Sequence, residues 1–146
     1  MSVEESGADK LARLRDAKAT REAAQAATRE ASEIEVLELE EKFSTELGKL
    51  GVDFAMVHDP DMGSDGIIVV KLGSDLAFRK FVDATVASEG LANAAEMYAF
   101  TAPAVVHPSR EKYTEIVRAR SGLANRTCDA LSSLYRVRGK KIEGKF

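Results

Sequence analysis

At 146 residues the chain has room for one domain and an appendage, and its 45% apolar content is ordinary for a globular protein. No apolar run approaches the ~18 residues of a membrane span. The opening "MSVEESGADKLARLRD" lacks the apolar region of a secretory signal, and the single Cys128 cannot form an internal disulfide, a usage that fits a reducing cytoplasm. The net charge of −3 conceals a split: residues 110–146 hold ten Lys/Arg against four Asp/Glu, a balance of +6, which leaves −9 for the rest. Either opposite faces neutralise each other within one molecule, or the basic end meets an acidic partner or another copy.

Residues 8–47 contain neither proline nor glycine and are rich in Ala, Glu, Arg, Lys and Leu, the strong helix formers. Between residues 15 and 33, "RDAKATREAAQAATREASE", seven alanines are the only apolar residues, so this part reads as a solvated helical arm. Large side chains return at Ile34, and Val36, Leu39, Phe43, Leu47 and Leu50 follow at spacings of 3, 4, 4 and 3. That stripe can pack on the following domain or on a partner helix, which predicts an arm docked only at its C-terminal end.

Residues 52–72 read as a β-hairpin, "VDFAMV" and "IIVVKL" flanking "HDPDMGSDG". The aspartates of that connection invite a calcium reading, which fails on ligand count. Starting at Asp59 puts Ser64 where the sharp-turn glycine belongs, and starting at Asp61 puts Leu72 in place of the bidentate glutamate. What remains is a hairpin tip solvated by Asp59, Asp61 and Asp65, with Pro60 fixing φ and Gly63 and Gly66 taking positive φ.

Ser74 caps a helix over residues 75–89, whose apolar face is Phe78, Phe81, Val82 and Val86. Gly73 ahead of that cap is a weak anion-binding signal. A further helix is predicted over 91–101, with Leu91, Ala94, Ala95 and Tyr98 in register. "APAVVHP" holds two prolines five positions apart and reads as an extended connector. Ser109 caps the next helix, with Tyr113, Ile116 and Val117 on its apolar side, and Ser121-Gly122 break it. The last helix runs from Leu123 to Val137, with Leu123, Thr127, Leu131 and Leu134 on one side and Cys128 and Tyr135 beside them. It ends at Gly139, before a basic tail.

The reading is an α+β protein, mostly helical. It has a helical arm over 1–48, a small domain over 49–138 with one hairpin and about four short helices, and a tail over 139–146. No catalytic, cofactor-binding or metal-binding constellation stands out. Two histidines, His58 and His107, and one cysteine do not make a zinc site, and a Cys128–His107 pair finds no support in its flanks. "RVRGKK" is basic, but its one neighbouring aromatic is Tyr135, which makes nucleic acid a weaker partner than an acidic protein surface.

From Val52 onward the order of parts resembles the small tail assembly chaperones of tailed bacteriophages. The chain has a hairpin ending in "GIIVVKLG" and a helix interleaving aromatic and basic residues, "AFRKFVDAT". The entry "AVVHPSREKYTEIV" and a final helix, "LANRTCDALSSLYRVRGKK", follow. The likeness covers some 90 residues. It departs from the family at Ser121-Gly122, where a proline is frequent, and in the long arm. The resemblance implies a non-enzymatic protein of the host cytoplasm that binds the tape-measure protein while the tail assembles. A structural virion protein whose arm contacts neighbouring subunits is the alternative, and a small nucleic-acid-binding protein comes third. On either of the first two readings partner contact is expected at Leu39, Phe43 and Leu47 on the arm and at Arg136, Arg138, Lys140 and Lys141 at the basic end. The partners would be phage tail or virion proteins, with self-association through the arm.

Overall fold

The computed structural model describes residues 5–90 and 93–143, the side chains of 138–143 excepted. The protein is α+β and mostly helical, with one three-stranded antiparallel sheet of order β1-β2-β3. Helix α1 (Gly7–Gly48) is followed by strand β1 (Phe54–His58), a 3₁₀ turn at Pro60–Gly66 and strand β2 (Ile67–Lys71). Helices α2 (Asp75–Ala87) and α3 (Ala94–Thr101) precede strand β3 (Val105–His107). Helices α4 (Arg110–Ala119) and α5 (Ser121–Glu143) complete the fold.

Strand β2 lies between β1 and β3, and Ile67, Ile68, Val69 and Val70 are all fully buried. A strand covered on both faces reads as a continuous apolar run, which is what "IIVV" is. Ile68 and Val70 face a core built with Phe100, Tyr113, Ile116, Leu123, Leu131 and Tyr135. Val69 faces the other way, onto Phe43 and Leu47 of α1, with Leu39 and Phe54 packed beside them. The C-terminal half of α1 is therefore the second layer of the domain.

Ser6 caps α1 by accepting from the Asp9 amide. Docking begins earlier than Ile34. Ser32 is buried, and the Pro60–Gly66 turn lies along α1 beside Thr28 and Arg29. What carries this earlier contact is small and polar, so apolar periodicity could not announce it. Every described residue before Ser32 is exposed, and the helix beyond Ala24 overhangs the domain by ~25 Å at 1.5 Å per residue.

The connector "APAVVHP" is a correction to the sequence reading. Residues Ala102–Ala104 make a short 3₁₀ turn and Val105–His107 pair with β2, with Val70 opposite Val105 and Val69 opposite His107 across a register shift. Pro103 sits in the turn and Pro108 follows the strand, so the prolines bracket the strand instead of interrupting it. Expectations for three helices also shift. Phe78 and Phe81 do face inward, Phe78 stacked on Tyr135 at 4.8 Å and Phe81 on Phe100 at 4.4 Å. Val82 and Val86 lie on the outer side of α2, because that ring stacking fixes which face turns in. On α3 the buried residues are Phe100 and Thr101, while Ala94 and Ala95 are exposed and Leu91 lies outside the described residues. Helix α5 starts at Ser121 and continues through Gly139 to Glu143, so it is one long helix of 23 residues.

Phe43→Ala should cost about 3–5 kcal/mol of stability, since it opens a hole against Val69. Leu14→Ala on the overhang should stay within about 0.5 kcal/mol of the parent in urea denaturation.

Candidate interaction surface

The acidic turn is held, not merely solvated. Asp61 Oδ1 accepts from Arg29 Nη2 at 2.8 Å and Nε at 2.9 Å. Asp65 lies 3.5 Å from Lys112 Nζ of α4, and Asp59 lies 3.7 Å from Arg120 Nη1. Arg126 of α5 donates to the His58 carbonyl at 2.8 Å. The first two pairs are well exposed, so each contributes on the order of 0.2–1 kcal/mol. Their joint effect is positional: cations from α1, α4 and α5 converge on one turn. Part of the charge split is thereby neutralised within the molecule.

Two glycines permit this turn for different reasons. Gly63 takes φ +62, as the sequence reading expected, and its α-carbon side faces Thr28 of α1 closely. Gly66 does not take positive φ; a Cβ there would run into the Asp59 carbonyl oxygen, so it is needed for close backbone approach. Beneath the turn, Ser32 Oγ donates to the Arg29 carbonyl at 2.9 Å. A hydroxyl has one proton, so the 3.0 Å contact with His58 Nε2 is a ring N–H donating to Ser32 Oγ.

The groups with intrinsic chemical reactivity are subdued. Burial pushes the Cys128 thiol up from its ordinary range, with Asp129 adding to the effect against Ser132 and Arg136. Burial likewise raises the Tyr113 phenol, whose O–H donates to Thr101 Oγ1 at 2.6 Å while Thr101 donates to the Met97 carbonyl. His107 is lowered by burial, partly offset by Glu35 and reinforced by Lys42. Its charged neighbours belong to α1, and those of Cys128 belong to α5. The amide of Gly73, which an anion would need, is already donated to Tyr135 Oη at 3.1 Å, and that hydroxyl donates to the Ser74 carbonyl at 3.1 Å. Among the described residues no three His, Cys, Asp or Glu side chains converge as a metal site, and no helix is long and apolar enough to cross a membrane.

Of the residues expected to contact a partner, Phe43 and Leu47 are buried in the chain's own core and Leu39 is half-buried beside them. They are used internally, because β2 needs a cover on its Val69 face. Arg136 is exposed on α5, and the side chains of Arg138, Lys140 and Lys141 lie outside the described residues. Continuing the 3-4 spacing of Leu47, Phe43, Leu39, Val36 and Ser32 toward the N-terminus leads through Arg29, Gln25, Arg21 and Lys18 to Leu14 and Leu11. These two leucines are 48% and 49% exposed on the overhang, on the same stripe that docks farther along. The spacing of Leu11 and Leu14 was visible in the sequence, but two leucines ahead of an alanine-rich run carry little signal alone. A second surface, a groove of about 490 Å³ between α2 and α3, has Phe81 and Phe100 among its lining residues. Those aromatics are far apart in sequence, so only the fold brings them together.

No protein-family model, curated protein or solved structure matches this chain.

Two outcomes follow from the electrostatics. Because Asp59, Asp61 and Asp65 already have cationic neighbours, millimolar calcium should leave the melting temperature unchanged; a rise of several degrees would contradict this. For His107, the unfolded chain takes up a proton near the ordinary 6.5 while the folded chain resists it. Its contribution is thus complete above that pH and declines as pH falls through it toward the lower folded value. Urea midpoints measured between pH 7.5 and 5.5 should drop, and His107→Gln should flatten the slope.

Proposed function

We propose that this protein is a non-enzymatic assembly protein of a tailed bacteriophage, most like a tail assembly chaperone. It would bind a long helical tail component such as the tape-measure protein in the host cytoplasm. The observation that carries the reading is the overhang of α1. It is a solvated helix whose leucines, Leu11 and Leu14, continue a docking stripe but stand half-exposed, with no surface to dock on among the described residues. A helix of this kind is suited to pairing with a partner helix through anchors at helical spacing. The polar stretch between these anchors and the docked part keeps the arm soluble while it is unoccupied. The order of parts after Val52, which resembles that family, supports the same reading. So do the places of Cys128 and Tyr113 in the packed core.

A structural virion protein whose arm lies along neighbouring subunits is the second reading, and the same overhang favours it. The contents of purified particles separate the two: a chaperone is missing from mature tails, whereas a structural protein is present at fixed stoichiometry.

Co-expression with the tape-measure protein of the same genome should keep that protein soluble and yield a complex by size exclusion. Removing residues 1–22, which stops short of the docked Ala24–Ser32 segment, should leave the melting transition in place and abolish the complex. A truncated chain that still captures and solubilises the partner would remove the arm from the proposed role.

A further inference from the structure

The groove between α2 and α3 and the outer face of α1 are complementary in polarity and charge. The groove floor includes Phe81, Phe100 and Ala84, and Lys71 and Lys80 stand at its rim. Neither lysine has an ion-pair partner among the described residues. The one acidic residue of the rim, Glu96, is already occupied: its two carboxylate oxygens accept from the Asn93 amide at 3.0 Å and from Ser88 Oγ at 3.2 Å. An occupant therefore has to be an apolar ridge flanked by carboxylates.

The chain carries such a ridge. On the side of α1 turned away from the domain, Ile34 and Leu37 are 53% and 65% exposed. Helical spacing places Glu30 and Glu41 at the two ends of this pair, with Glu33 and Glu38 on its flanks. None of the four carboxylates has an ion-pair partner among the described residues. Large exposed side chains in the middle of an acidic helix face have no use within the fold, since the opposite side of α1 already covers Val69.

We propose that the α2–α3 groove of one copy receives the Ile34–Leu37 ridge of a second copy, with Lys71 and Lys80 meeting its glutamates. The geometry also sets the symmetry. Helix α1 covers the Val69 face of the sheet, while α2 and α3 lie over the Ile68 and Val70 face, so ridge and groove sit on opposite sides of the molecule. A contact between different patches is heterologous, and copies joined this way build a ring or an open row instead of a two-fold dimer. This does not depend on the overhang or on the chaperone reading.

Charge reversal in two separate variants tests the contact. The wild-type chain should show a mass in sedimentation or light scattering that rises with concentration past two copies, and added salt should reduce it. Lys71→Glu/Lys80→Glu makes groove and ridge both acidic, and Glu30→Lys/Glu33→Lys/Glu38→Lys/Glu41→Lys makes both basic. Each variant alone should be monomeric, weakened by about tenfold or more, with unchanged circular dichroism because all six positions are exposed. Mixing the two should restore association, since each groove again meets a ridge of opposite charge. Four results would overturn the proposal. They are a wild-type chain that stays monomeric, a species that stops at two copies, variants that associate alone, and a mixture that does not. A monomeric wild type that instead binds an unrelated acidic amphipathic peptide in the groove would assign it to a different occupant.

Discussion

The requirement that shapes this molecule is a cover for both faces of β2. Four consecutive residues, Ile67 to Val70, are fully buried, and in a pleated strand they point alternately to two sides. One side is closed by α3, α4 and α5 through Phe100, Tyr113, Ile116, Leu123 and Leu131. The other needs a single long element, and α1 is the element that reaches it, through Phe43 and Leu47. The rest of α1 follows from this. A helix anchored by its C-terminal half and running past the turn at Pro60–Gly66 has to continue into solvent, because nothing beyond the turn widens the domain.

The turn itself sets the angle of that helix. Asp59, Asp61 and Asp65 are met by Arg120, Arg29 and Lys112, and the backbone of His58 by Arg126. Individually these contacts are weak at such exposures. Together they join α1, α4 and α5 to the stretch from His58 to Asp65. The hydrogen-bonded pair of His58 and Ser32 adds a packed contact under the charges. Cations of the basic C-terminal half are thus partly neutralised by the acidic turn of the same molecule, while Lys71, Lys80 and the outer glutamates of α1 are left over.

The elements written in periodicity were legible in the sequence. The arm, the two hairpin strands, the caps at Ser74 and Ser109, and the Leu123–Thr127–Leu131 stripe each depend on local spacing. What escaped depends on contacts distant in sequence. Strand β3 was masked by Pro103 and Pro108, whose effect on pairing depends on which residues lie between them. The docking of Ser32 was hidden because a small polar residue buried against a turn leaves no apolar signal. Val82 and Val86 were assigned to the wrong side of α2, because α2 is apolar on two sides and only ring stacking with Phe100 and Tyr135 chooses between them. Phe43 and Leu47 were read as partner contacts from a stripe that suits a core equally well.

Once those two residues are assigned to the core, the surfaces open to partners have different characters. The overhang carries Leu11 and Leu14 among charges of both signs, with Arg13 paired to Glu5 and Lys18 to Glu22. The outer face of α1 carries Ile34 and Leu37 among glutamates. One helix therefore presents two apolar anchors, one among mixed charges and one among glutamates, on different faces and at different heights. A groove rimmed by lysines would select the second anchor over the first, since that one is flanked by glutamates alone. The proposed self-contact and the proposed contact with a foreign helix therefore use different lengths of α1 and do not compete for it.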